Sequence, residues 1–394
     1  MKVPITRPWF DDAEKNAIVK PLETGWVVQG PYVAEFEKKF AAFTGAKYAF
    51  ATSNCTTALH LGLLALGIGP GDRVIVPSFT FIASANVVEY VGATPVFCDI
   101  DLTTYNINVE QVRRLLESDI DRTIKAVMPV NLFGLCADLL AVMELAEEFD
   151  LKVIEDSACG LGGSIDGKHS GTFGHVGCFS FHPRKAITTG EGGMIVTDDP
   201  QIAEKVASLR DHGGTKSDRE RHLAKGGFAL PDYNVVGYNY RMTDFQGAIG
   251  TCQMDKLQAI LDTRRTLAAR YDRDLNCGLG KIKPPLIPQG YLSGYQAYVG
   301  LYIDGDNTAE LTVNKIDELG AERNKLMANL EESGISTRQG THAVHIQGYY
   351  KKKYSLRESD YINSYTADRL TIALPLFHGM SNEEYAYVIE RLSS

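Results

Sequence analysis

The residues best suited to chemistry lie in one stretch. Gly177-Cys178-Phe179-Ser180-Phe181-His182-Pro183-Arg184-Lys185 runs from small and aromatic residues through a hydroxyl to a lysine, and Thr188-Thr189-Gly190-Glu191-Gly192-Gly193 follows. Glycines let backbone approach a ligand closely. A lysine held among apolar residues loses the hydration that favours its ammonium form, which frees the amine to attack a carbonyl carbon. A lone loop lysine would carry no such meaning, so its partners decide. Asp156, closing Val153-Ile154-Glu155-Asp156, is a carboxylate for a cationic ring nitrogen or a cap on Ser157-Ala158. Ser53-Asn54-Cys55-Thr56-Thr57 offers a phosphate the N–H groups, hydroxyls and positive dipole end of a helix start, though the same residues also serve as ordinary caps. Ser180 is a further phosphate donor or a buried strand hydroxyl.

The elements that must position these residues follow from periodicity. From Tyr48 onward, apolar runs over 48–52, 72–77, 95–100, 124–130, 152–156 and 194–199 read as strands. Amphipathic stretches over 53–66, 79–91, 109–118 and 138–149 read as helices between them. This alternation predicts an α/β fold with a largely parallel sheet covered on both faces. Ligands bind such sheets at the carboxyl ends of their strands, and Thr56, Asp156 and Lys185 all fall just past strands. Upstream, Asp11 to Leu22 reads as one short helix, and Tyr32 to Phe43 as another with Val33, Phe36, Phe40 and Phe43 on one face. Trp26, set among glycines, is either a lid on a pocket or a plug beneath the N-terminal arm. A long helix over 243–276 carries Leu257, Ile260, Leu261 and Leu267, and Pro284, Pro285 and Pro288 mark a boundary beyond it. The expected division is a large ligand-binding domain over 1–255 and a smaller C-terminal α+β domain over 256–394, with a strand near 298–303 and helices near 321–332 and 381–392.

With 394 residues, 44% apolar and 23% charged, the chain has the composition of a globular protein of one large and one smaller domain. A net charge of -9 with scattered Lys and Arg argues against nucleic-acid binding. Seven cysteines without a framework of spacings fit a reducing compartment, and no Cys/His cluster has metal-ligand spacing. Met1 to Pro8 contains no apolar core of a signal segment, and no apolar run reaches spanning length. A soluble cytoplasmic protein without membrane contact is expected.

Lysine, ring-nitrogen carboxylate and phosphate cradle are the parts that pyridoxal phosphate uses together. At these same residues the chain resembles the DegT/DnrJ/EryC1/StrS family of nucleotide-sugar aminotransferases. The matching stretches include Thr24-Gly25-Trp26, Ser53 to Leu59, Pro77-Ser78-Phe79-Thr80-Phe81, Gly92 to Val96, Val153 to Ala158, Ser180 to Gly193, Gly237 to Asp244 and Leu374-Pro375-Leu376-Phe377. The resemblance implies an aspartate-aminotransferase-like fold (fold type I) and a homodimer whose subunits share active sites. It implies that Lys185 is the Schiff-base lysine and proton carrier and that Asp156 binds the pyridine nitrogen. Thr56, Thr57 and Ser180 would bind the phosphate, joined by Asn239 from the partner subunit, and Phe81 would stack on the cofactor unless it is a core phenylalanine.

The chain departs from the family pattern at Cys159, where many members carry Gln or His beside the cofactor's phenolic oxygen; a small space-filling role suits the cysteine. Thr341-His342-Ala343-Val344-His345 also departs from the commoner pattern, which leaves His342 and His345 as substrate contacts or packed histidines. Related dehydratases carry His at the lysine position, so Lys185 favours transamination. The Thr188 to Gly193 run resembles members that aminate position 4 of a nucleotide-linked 4-keto-6-deoxyhexose with glutamate as donor; alternatives are a position-3 or cyclitol aminotransferase, or a non-catalytic regulator. Trp26, Arg184, Arg241 and His342 are candidate substrate contacts. Arg210 and Arg338 are further candidates for the diphosphate, and Arg241 pairs alternatively with Asp244.

Overall fold

Seven mostly buried strands build the main sheet: β1 (Tyr48–Thr52), β2 (Arg73–Pro77), β3 (Thr94–Cys98), β4 (Ile124–Val127), β5 (Lys152–Asp156), β6 (Val176–Ser180) and β7 (Gly193–Thr197). The computed structural model describes residues 1–215, 230–277, 281–303 and 311–393. The strand order is β1-β7-β6-β5-β4-β2-β3. Strands β3, β2, β4, β5 and β6 pair parallel, while β7 runs antiparallel to both β6 and β1. The sheet is therefore mixed but mostly parallel, as the alternation of strands and helices requires. Successive side chains serve opposite faces. Val74, Val76 and Ile154 join the core under the Cys55–Ala65 helix, whereas Ile75 and Val153 join the core under the Val109–Glu117 and Leu139–Phe149 helices.

A helix over Asp244–Asn276 leads to a second sheet, in which β8 (Ile282–Lys283), β9 (Tyr298–Tyr302) and β10 (Thr371–Leu374) pair antiparallel in that order. The long helix begins where the sequence predicts. Thr243 caps it by accepting from Gln246 N, and the Gln246 side chain answers at Thr243 N. Its Leu257, Ile260, Leu261 and Leu267 are all buried. No helix among the described residues is long and apolar enough to cross a membrane.

Three local expectations need correction. The stretch 11–22 forms two helices, Asp12–Ala17 and Lys20–Thr24, because Pro21 can occupy the first turn of a helix but not its interior. The stretch 79–91 begins as a two-residue strand, Phe79–Thr80, paired with His342–Ala343, and turns helical only over Ala83–Tyr90. The helix expected near 321–332 starts earlier, at Val313, where Thr312 caps it.

Candidate active site

Strand β5 ends in two neighbouring carboxylates that period-two geometry sends to opposite faces. Glu155 is fully buried and accepts from Gly171 N at 2.6 Å, Phe173 N at 2.7 Å, Gly174 N at 2.8 Å and Asn131 Nδ2 at 3.0 Å. Gly171 makes that cluster of donors possible. It sits at φ +78°, and a Cβ there would lie 2.4 Å from the Phe179 ring. Asp156 has fewer partners: Ser84 Oγ donates to Oδ2 at 2.7 Å and Ala158 N donates to Oδ1 at 3.1 Å. It does cap Ala158, yet an ionised carboxylate has about four acceptor positions, so roughly half of Asp156 stays open where Glu155 is full. Burial pushes the Asp156 carboxyl up, while Ser84, Ala158 N and the charge of Lys185 pull it back.

Lys185 lies on the connection between antiparallel strands β6 and β7. The Phe181 N–H to Gly192 and Thr189 N–H to Phe181 bonds close its base, and Phe181 is buried against Phe36 and Phe40 of the Pro31–Thr44 helix. Lys185 Nζ lies 3.1 Å from Cys159 Sγ. Its carbonyl receives a hydrogen bond from the buried Arg264 guanidinium, whose other arm holds the Tyr295 and Gln296 carbonyls. Arg264 escapes a sequence reading because its contacts are to backbone carbonyls distant in the chain. Cys159 touches the amine.

The helix start at 53–57 and Ser180 lie at the same sheet end. Thr52 pairs with Gly193, and Gly193 pairs with Ser180. Gly193 lets the turn press in, since a Cβ there would lie 2.5 Å from the Asn54 carbonyl. Asn54 is the cap: its Oδ1 accepts from Thr57 N, and Thr57 Oγ1 donates back to Asn54 O at 2.7 Å. Thr57 is therefore engaged in the capping box, with Thr56 half-buried beside it. Ser53 N donates to Tyr240 O at 2.9 Å, tying the turn to the segment bearing Asn239, whose side chain is exposed in the single chain.

Phe81 is 56% exposed, unlike Phe79, which is buried among Tyr105 and Phe133. The core alternative for Phe81 is excluded within this chain. His342 lies opposite Thr80 on the short ribbon and is exposed, whereas His345 is buried with Nδ1 2.6 Å from Ser78 Oγ. Burial holds the His345 imidazole down at about 4, which makes it a packed neutral histidine.

The other candidates disperse. Arg241 pairs with Asp211 rather than with Asp244; Asp244 instead accepts from Gly30 N at 2.9 Å and Val33 N at 3.0 Å, capping a helix more than two hundred residues away. Arg210 is buried against Glu37 at 2.6 Å and the Ala51 carbonyl, which makes it structural. Trp26 is half-buried, donates from Nε1 to Val28 O at 2.9 Å and lies against Gly30. Arg184 and Arg338 are exposed, Arg338 on a bridge to Ala373. Ser84, which sequence reasoning missed, is the closest side-chain partner of Asp156. Its only sequence signal was a hydroxyl four residues after Thr80 within an apolar run.

The residues present fit the expected cofactor. A buried, half-satisfied carboxylate, an amine on the next loop and a helix start packed close to Ser180 are the parts that pyridoxal phosphate requires. Residues 9–393 match the DegT/DnrJ/EryC1/StrS aminotransferase family. The GDP-perosamine synthase of Caulobacter vibrioides is 38% identical over 350 residues, covering 89% of this chain and 87% of that protein. The spore coat polysaccharide biosynthesis protein SpsC of Bacillus subtilis is 35% identical over 391 residues, covering 98% and 95%. The PLP-form of Spr1654 from Streptococcus pneumoniae superposes with a TM-score of 0.86 at 27% identity, covering 100% of this chain and 98% of that one.

Proposed function

Because this chain belongs to the DegT/DnrJ/EryC1/StrS aminotransferase family and is a pyridoxal-phosphate-dependent sugar aminotransferase, we propose that it transfers an amino group from glutamate to position 4 of a nucleotide-linked 4-keto-6-deoxyhexose. The observation that carries the reading is the convergence of Lys185 Nζ, the open side of Asp156 and the 53–57 helix start at one end of the sheet. The similarity to GDP-perosamine synthase supports position 4. In this reading residues 1–255 hold the cofactor and residues 256–394 form the smaller domain.

When bound, pyridoxal phosphate supplies an aldehyde that condenses with amines and a ring that withdraws electrons from the neighbouring carbon. Lys185 would hold that aldehyde and, as a free amine, would take the proton from the donor's α-carbon at Nζ and carry it as the acid for the return transfer. Asp156 holds the ring nitrogen's positive charge with its open oxygen positions. Thr56, Ser180 and the N–H groups of the Cys55–Ala65 helix start hold the phosphate, joined by Asn239 of a second copy. Phe81 would cover a ring face, and His342, opposite Thr80 on the short ribbon, would meet the sugar.

Visible absorption of the holoenzyme before and after glutamate tests the first half. The band of lysine-bound cofactor is expected to convert on adding glutamate and to be missing from Lys185→Ala. Mass spectrometry and NMR of the sugar product then locate the new amine. An amine at position 3 would remove the regiochemical part and leave the transaminase standing.

A further inference from the structure

Thr80, Ser84 and Asp156 form a buried line of three side chains. Thr80 Oγ1 lies 2.9 Å from Ser84 Oγ, and Ser84 Oγ lies 2.7 Å from Asp156 Oδ2. Thr80 and Ser84 are fully buried and Asp156 is 4% exposed. The proton positions follow from counting. An ionised carboxylate only accepts, so the single Ser84 hydrogen points at Oδ2. Thr80 must then donate to Ser84 Oγ, and the two bonds polarise each other in the same direction. Ser84 has a second acceptor within reach, the Phe81 carbonyl at 3.2 Å. That bond suits Ser84 only when Oδ2 itself carries a proton. The hydroxyl pair thus has one hydrogen arrangement for a charged Asp156 and another for a neutral one.

From this geometry we infer that Ser84, oriented by Thr80, is the positioning residue that keeps Asp156 ionised and turns its remaining acceptor positions toward the cofactor ring. The Phe79–Thr80 strand that carries Thr80 pairs with His342–Ala343. The ribbon fixes Thr80, while the Ala83–Tyr90 helix carries Ser84 within its first turn. The ring-nitrogen carboxylate is thereby tied to the segment that presents Phe81. This inference rests on the reading that Asp156 faces the pyridine nitrogen.

The test compares two ligands. Apoenzyme affinity is measured for pyridoxal phosphate and for its 1-deaza analogue, in which a C–H replaces the ring nitrogen, and the ratio isolates the contact with Asp156. In wild type the ratio favours the nitrogen ring. In Ser84→Ala it is expected to shrink about tenfold, the scale of one hydrogen bond to a charged group, and Ser84→Thr is expected to restore most of it. A general loosening of the site would weaken both ligands alike and leave the ratio at its wild-type value. That result would overturn the role given to Ser84. A wild-type ratio near one would remove Asp156 from the ring nitrogen and take the inference with it, and Asp156→Asn, leaving that ratio unmoved, would identify this as the cause.

Discussion

Glu155 and Asp156 are consecutive, buried carboxylates at the end of one strand, yet they sit in different surroundings. Glu155 faces a nest of three backbone N–H groups and an amide that fills its acceptor positions, so it can hold the 171–174 turn against the sheet and do nothing else. Asp156 receives two donors, keeps the rest of its capacity and feels the Lys185 charge. Burial pushes both carboxyls up. The difference lies in satisfaction: a saturated buried charge is architecture, and a half-saturated one is available to a ligand.

Paired amide substitutions should break this comparison cleanly. Asp156→Asn is expected to lower the turnover rate about 10²–10³-fold, the cost of removing a charge contact at a reacting centre, while changing the unfolding free energy by less than about 1 kcal/mol. Glu155→Gln should do the reverse. Its amide nitrogen would face backbone donors, costing about 3 kcal/mol of stability, while the rate per folded molecule stays near wild type. Denaturant unfolding and steady-state kinetics on both variants decide it. If Glu155→Gln lost activity without losing stability, saturation would not be what separates the two.

Only the Asp156 side of this contrast could be read in the chain beforehand, and the unreadable part has physical causes. Asp156 and Lys185 stood out because strand and loop periodicity placed each past a strand end. The long helix announced itself through Thr243 and its buried leucines. Ser84 did not, because a serine in an apolar run looks like helix filler until a carboxylate 72 residues away is seen beside it. The partner of Arg241 was misjudged for the same reason: Asp244 is near in sequence, whereas Asp211 is near in space. Glu155 drew no notice because its donors are backbone N–H groups, which every residue but proline has.

The same contrast separates two histidines. His345 is packed on Ser78 with its imidazole held at about 4 by burial, and His342 is exposed on the ribbon. The unfolded chain protonates position 345 from about 6.5 downward, whereas the folded chain does so only near 4. Between those values unfolding takes up a proton. The contribution to stability is therefore complete above about 6.5 and lost as pH falls, at about 1.4 kcal/mol per pH unit. His169, also held at about 4, adds a slope of the same sign. Unfolding free energies of His345→Gln, measured from pH 7 to pH 4, should lose about half of this combined slope. An unchanged slope in His345→Gln would show that its imidazole is charged in the fold.

The smallest effect concerns Cys159, on the open side of the comparison. Its thiol sits 3.1 Å from Lys185 Nζ, so it can hold the amine in place once the donor has freed it. A single hydrogen bond of this kind is worth about 1 kcal/mol or less, which sets the scale at roughly threefold to fivefold. Stopped-flow absorbance of the glutamate half-reaction should slow by that amount in Cys159→Ala and recover in Cys159→Ser, which keeps a hydroxyl within reach of the amine. Thermal unfolding should barely move in either, because the residue is only partly buried. Equal rates in wild type and Cys159→Ala would return the thiol to a packing role, and would confine the ordered part of the site to Asp156 and the Thr80–Ser84 line that holds it.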